Sequence, residues 1–195
     1  LLKQMAELGL LEKKSNAPIY RPGLLVMEIA HRARGMNHLI DMALEALDSL
    51  TKDSGFTSYV SALDEDKVRV VHARIGNSML QVITQPGTRL PIAGTSTGRA
   101  LLARLPVQAS LDERMNIILA RGWEFSVNES VAGVASVSST VYDPSQSTLY
   151  ALCLSLPASQ MTEEVIEQLS QDLCRKASYL GCMVGDPYWL ERSAK

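Results

Sequence analysis

Apolar residues recur along this chain in two rhythms, one close to 3.6 residues and one of two, and the switches between them predict its elements. Leu1, Leu2, Met5, Ala6 and Leu8 keep helical spacing until Gly9 stops them. Leu11 to Tyr20 then reads as a short hairpin with Ser15-Asn16-Ala17-Pro18 at its tip. From Pro22 the helical rhythm returns through Leu24, Leu25, Met27, Ile29 and Ala30, and Gly35 breaks it. Its apolar residues occupy more than one face, which suits either burial against another chain or domain or the first helix of a core. Leu39, Ile40, Ala43, Leu44, Leu47 and Leu50 form a cleaner stripe, an amphipathic core helix that runs through Ser54 and ends at Gly55.

Phe56–Leu63 and Lys67–Ile75 are β-rich runs joined by Asp64-Glu65-Asp66, and the second alternates Val68, Val70 and His72 against Arg69, Val71 and Ala73. Met79–Thr84 is expected to add a third short strand. Leu111–Ala120 reads as a helix and Gly122-Trp123 as a turn. Val131–Tyr142 and Thr148–Leu156 make a second hairpin, connected by Asp143 to Ser147.

Period two in the last of these strands puts Leu152, Leu154 and Leu156 on one face and Ala151, Cys153 and Ser155 on the other. The leucine face requires a cover. The final helix offers Val165, Ile166, Leu169, Leu173, Ala177 and Leu180 before an expected stop at Gly181. The small-residue face is expected to leave a hollow. Strands that arrive as hairpins predict an α+β fold, an antiparallel sheet with helices on one side and a ligand-sized space on the other.

The stretch over that space is PGTRLPIAGTSTGRALLA, from Pro86 to Ala103. It joins a turn, an extended entry and a short helix rich in small hydroxyl residues. Thr95 or Ser96 can cap that helix, and the free N–H groups of its first turn favour a carboxylate or phosphate. Taken alone the stretch also fits an ordinary capped loop, since it lacks the spacing of a phosphate-binding P-loop.

Composition narrows the function classes. A chain of 195 residues, 46% hydrophobic, is long enough for one sizeable globular domain and a smaller piece. Its formal net charge of −2 supplies no global attraction to nucleic acid, so any DNA contact must be local. Three cysteines, Cys153, Cys174 and Cys182, without CxxC spacing, argue for a reducing compartment, with the cytoplasm expected. No apolar run approaches a membrane span, and His31, His38 and His72 lack metal-ligand spacing, so no metal or cofactor is expected. A chain that begins LLKQMAELG is expected to be part of a longer one.

These segments together resemble the IclR-type bacterial transcription regulators, from Leu1 to about Gly185. The likeness rests on GLLEKKSNAPIYRPG, GTRLPIAGTSTGRALLA, RGWEFSVNESVAGVASVSSTVYD and ALCLSLP, in the family's order. It implies three parts: residues 1–22 as the end of a winged helix-turn-helix domain that binds double-stranded operator DNA, 23–36 as a linker helix used in dimerisation, and 37–195 as a GAF-like effector-binding domain. Lys13 and Lys14 beside the hairpin tip would meet phosphates. The family's effector pocket maps onto Ser96, Thr97, Asp143, Cys153 and Ser155, and the implied assembly is a homodimer or tetramer. Three departures stand out. Ala93 occupies a position where the family usually has His, Ser96 and Thr97 occupy two positions where it often has smaller residues, and Val107–Ser110 replaces a usually longer helical stretch between Pro106 and Leu111.

Plainer readings accompany these assignments. Cys153 also reads as a small buried apolar residue, Asp143 before Pro144 as a turn former, and Glu129 as a solvated loop acid. A GAF-like thiol-redox enzyme using Cys153 is the alternative class. It lacks a neighbouring base, a second catalytic cysteine in a recognisable motif and a metal cluster, so no catalytic residue is expected.

Overall fold

The computed structural model describes residues 1–14, 17, 19–35, 38–105 and 113–194. The hairpin tip at Ser15, Asn16 and Pro18, and the whole stretch from Pro106 to Asp112, lie outside the described residues. The chain falls into two compact units, Leu1–Asp41 and Met42–Lys195.

In the first unit, helix α1 (Leu2–Glu7) is followed by Gly9 at φ +76°, and the chain turns into a hairpin of β1 (Leu11–Lys13) and β2 (Tyr20–Pro22). Leu11 pairs with Pro22 and Lys13 with Tyr20. Gly23 N–H donates to Leu10 O at 2.8 Å, and a Cβ there would stand 2.1 Å from Gly9 O, so only glycine permits this approach. Because Pro22 belongs to the ladder, helix α2 starts later than the apolar rhythm suggests, spanning Leu24–Gly35. Leu24, Met27 and Ile29 are exposed on it.

The second unit holds a six-stranded antiparallel sheet in the order β5-β4-β3-β8-β7-β6. Its strands are β3 (Thr57–Asp64), β4 (Lys67–Arg74), β5 (Arg89–Pro91), β6 (Trp123–Val127), β7 (Val134–Asp143) and β8 (Thr148–Pro157). One face carries Leu152, Leu154 and Leu156, all buried, and is covered by α6 (Glu163–Val184), whose Leu169, Leu173, Ala177 and Leu180 are buried. The long helix α3 (His38–Ser54), which begins in the first unit, joins this face where Ser58 Oγ donates to Leu47 O at 3.0 Å. The opposite face is covered by α4 (Ser96–Ala103), and α5 (Glu113–Arg121) packs against α4 through Met115 and Ile118 on Ala103.

Four expectations from the sequence need correction. Met79–Thr84 forms no strand: Met79, Leu80 and Ile83 project into solvent, and the edge of β4 is taken by residues 87–91, beginning with Gly87 N–H to Val70 O at 2.8 Å. The strict alternation in β4 fails at a bulge, where Val60 pairs with His72 but Ser61 with Val70. Val71 is the extra residue, and the shift brings Ala73 onto the same cluster as Val70 and Tyr59. Trp123 begins β6 instead of completing a turn. Finally, α6 does not stop at Gly181. It continues to Val184 and is capped by Gly185 at φ +82°. Gly181 is the seat for the following helix α7 (Pro187–Ser193), since a Cβ there would lie 2.4 Å from Trp189 Cδ1.

Candidate functional site

The entry to α4 is built for close approach. Thr95 Oγ1 accepts from Gly98 N–H at 3.1 Å and donates to Pro91 O at 2.7 Å, tying the first turn to the end of β5. A Cβ on Gly98 would stand 2.1 Å from Ile92 O, so glycine lets the extended entry lie directly on the helix. This seats Ser96 and Thr97 on the small-residue face of the sheet.

There the hydroxyls bond to one another. Ser96 Oγ lies 2.7 Å from Ser136 Oγ and 2.8 Å from Ser138 Oγ, while Ser96 N–H donates to Ser126 Oγ at 3.3 Å. Ser126 and Ser136 are 2.9 Å apart. Thr97 Oγ1 reaches Ser138 Oγ at 3.0 Å and Tyr59 OH at 3.3 Å. Pairing across the sheet places Cys153 between Ser138 and Tyr59, and Ser155 between Ser136 and Thr57. Ser96, Thr97, Ser138 and Cys153 are 0% exposed.

The expected hollow under the stretch from Pro86 to Ala103 is therefore filled by that stretch's own side chains, Ser96 and Thr97. The patch is also uncharged. Burial pushes the Cys153 thiol up, against hydrogen bonds from Ser138, Tyr59, Thr97 and Ser96 that pull the other way. Burial likewise holds the Tyr59 hydroxyl well above its usual value, with Cys153 adding to the rise and Thr97 and Ser155 opposing it. A thiol in that state is a poor nucleophile at neutral pH, which weighs against thiol chemistry.

Of the five effector residues expected from the sequence, Ser96, Thr97, Cys153 and Ser155 come together. Asp143 does not join them. It ends β7 five residues beyond Ser138, roughly 17 Å away at the rise of a strand. Its Oδ1 accepts from Ser145 N–H at 2.9 Å and Ser145 Oγ at 2.7 Å, the turn-forming role. Sequence reasoning missed Tyr59, Ser126, Ser136 and Ser138. Period two along β7 would have paired Ser136 with Ser138, but Ser126 stands on β6, of which the sequence reading took only Trp123, as part of a turn.

Beside the patch lies a charged cluster. Glu124 is fully buried and accepts from Arg99 Nη2 at 3.1 Å, Arg114 Nη2 at 2.6 Å and Arg121 Nη2 at 2.6 Å. At the other end of α4, a cavity of about 650 Å³ is lined by Leu63, Leu149 and Tyr188 among others. Its one arginine, Arg104, is already paired with Asp186 at 2.7 Å. Among the described residues no group of His, Cys, Asp and Glu could hold a metal, and no helix is long and apolar enough to cross a membrane. Lys13 and Lys14, at the mouth of the first unit's hairpin, are exposed.

The described residues thus form an antiparallel sheet with helices on both faces and a neutral hydroxyl patch on one of them. The chain belongs to the IclR family of transcription regulators: the family model described as Bacterial transcriptional regulator IclR C-terminal matches residues 31–111 and 105–180, two segments that meet at the stretch from Pro106 to Leu111. The chain is similar to the Glycerol operon regulatory protein of Streptomyces griseus, at 22% identity over 83% of this chain and 71% of that protein. It is 24% identical to the HTH-type transcriptional regulator KdgR of Escherichia coli, over 94% and 78% respectively. Among solved structures, an IclR regulator from Silicibacter sp. TM1040 superposes with a TM-score of 0.79 at 21% identity, covering 94% of this chain and 81% of that one. The Thermotoga maritima IclR gives 0.74 at 20%, over 94% and 83%. These relatives are transcription regulators, not enzymes.

Proposed function

We propose that this chain is a ligand-responsive, DNA-binding transcription regulator whose effector site is the hydroxyl patch under α4. The observation that carries the reading is the position of Ser96. Its N–H and Oγ both point into a patch assembled from β6 and β7, at the end of a helix whose dipole favours negative charge. The site residues are Ser96, Thr97, Cys153 and Ser155, joined by Ser126, Ser136 and Ser138. A small organic acid would exchange hydroxyl–hydroxyl bonds for bonds to its carboxylate, and charge-assisted bonds are the stronger of the two.

Residues 1–22 act as the end of the winged helix-turn-helix domain, with Lys13 and Lys14 on phosphates. Residues 23–36 act as the linker through which two copies pair, and 37–195 as the GAF-like effector domain. The exposed Leu24, Met27 and Ile29 on α2 supply the apolar surface that pairing needs. Effector binding then works by linkage: a ligand that prefers one arrangement of the homodimer or tetramer biases operator affinity by that preference and no more. Such a regulator works in the cytoplasm.

The reading is tested by thermal melts against a panel of two- to six-carbon organic acids and their neutral amides. At least one acid is expected to raise Tm where its amide does not, and Ser96→Ala should abolish the difference. Amides that stabilise as well as their acids would remove the carboxylate from the proposal.

A further inference from the structure

We propose that the β6–β7 connection, Asn128–Gly133, is the door to the hydroxyl patch, latched by an ion pair between Glu129 on the door and Arg99 on α4. This rests on reading the patch as the effector site and adds how that site is reached.

Ser96 and Ser138 are wholly buried, so nothing from solvent touches them unless some segment moves. The elements around them are α4 and the interior of a paired sheet, which are costly to displace. The connection is different. Every residue from Asn128 to Gly133 is exposed, so lifting it uncovers little apolar surface. It also lies across the entrance: a Cβ built on Gly94, two residues before Ser96, would stand 3.7 Å from Glu129 O and 3.9 Å from Ser130 N. Ser126, which bonds Ser96 N–H, is two residues before the connection begins.

Its ends suit a hinge. Asn128 (φ +58°) and Gly133 (φ +81°) both take left-handed backbone, and they are tied together by Gly133 N–H to Asn128 Oδ1 at 2.7 Å and Asn128 N–H to Val134 O at 2.9 Å. Between those ends, the side chain of Glu129 reaches across to α4. Glu129 Oε2 accepts from Arg99 Nη1 at 2.7 Å, and Oε1 accepts from Nη2 at 3.1 Å, a bidentate pair. The arginine is the fixed half, held by Glu124 Oε1 and by Phe125 O at 2.8 Å, with its side chain 9% exposed. Glu129, at 34%, is the half that can leave. Arg114 Nη2 stands 3.6 Å from Glu129 Oε1 and reinforces the closed position.

The test needs no effector. A thiol is introduced beneath the door by Ser126→Cys in the full chain, and its alkylation by N-ethylmaleimide is followed by peptide mass spectrometry, with Cys182 as the internal reference. Glu129→Gln in that background should speed labelling at least tenfold without changing the urea midpoint or the Cys182 rate. Raising salt to 1 M should speed the parent modestly and leave Glu129→Gln nearly unaffected, because salt reaches the pair only from its Glu129 side, which is 34% exposed. Asp48→Asn, which breaks the distant Asp48–Arg74 pair, should change nothing at position 126. Equal rates with and without the Glu129 carboxylate would overturn the door. So would an acceleration matched by an equal fall in global stability, since access would then run through unfolding. If the patch were not the effector site, labelling would still respond to the latch while the acid panel failed.

Discussion

Leu152, Leu154 and Leu156 leave β8 on one side, and Ala151, Cys153 and Ser155 leave it on the other. Both sets are dry, yet the two faces are held by different physics. The leucine face meets α6 through dispersion and the loss of apolar surface from water, which have no direction and favour whatever fills the space best. The small face meets α4 through hydroxyl bonds, each requiring a particular donor and acceptor. A leucine contact offers a polar ligand no bonding partner. A serine–serine bond does, because a carboxylate or alcohol can take either partner's place at little net change in bonding. One face therefore suits permanent structure and the other suits a site that opens and refills.

The comparison predicts unequal costs for truncation. On the leucine face, Leu173→Ala removes a fully buried side chain from α6 and should cost about 2–5 kcal/mol in urea unfolding. On the hydroxyl face, Ser138→Ala takes a partner from both Ser96 and Thr97 and should cost about 1–3 kcal/mol. If Ser138→Ala proved as damaging as Leu173→Ala, the hydroxyl face would be a structural core like the other.

Titration sharpens the contrast further. Burial raises the Cys153 thiol and the Tyr59 hydroxyl on the hydroxyl face, and burial raises the Cys174 thiol of α6 to about 11. Each group loses its proton more easily in the unfolded chain. Above the ordinary thiol value the unfolded state binds fewer protons than the folded one, so stability must fall as pH rises from about 9 toward 11. Below that range these groups contribute no pH dependence. Urea midpoints measured across that interval should decline, and Cys174→Ser should reduce the slope without abolishing it.

Much of the fold is legible in the sequence, because the long helices carry both a stripe and a stop. Leu39 to Leu50 closed by Gly55 is α3 almost to the residue, and period two in β8 separates the two faces correctly. What escapes is decided by contacts that no local rhythm records. Gly181 resembles a helix end until Trp189 is seen resting on it. Met79–Thr84 has the composition of a strand but no neighbour to pair with, since residues 87–91 occupy that edge. The candidate site is half legible. Thr95, Ser96 and Thr97 stand out as small hydroxyl residues at a helix start, and Cys153 and Ser155 as the small side of β8. Ser126 is invisible because WEFSV is too short to show a period, and the turn bonds of Asp143 to Ser145 are not separable in sequence from a ligand-facing role. The closure of the patch is equally hidden: a small-residue face reads as a hollow until the hydroxyls of α4 are seen to fill it.

That closure also chooses the decisive variant. A bulky residue at position 97 would disrupt packing around a side chain with no exposed surface, whereas Thr97→Val keeps the shape and removes only the hydroxyl that bonds Ser138 and Tyr59. The most direct test of the account is calorimetric titration of the acid that stabilises the parent most in the melts, into the parent and into Thr97→Val. Saturable one-to-one binding is expected in the parent and at least about tenfold weaker binding in the variant, the loss of one hydrogen bond to a charged group. Unchanged affinity in Thr97→Val, with its circular dichroism spectrum intact, would contradict it and place the effector away from the hydroxyl face.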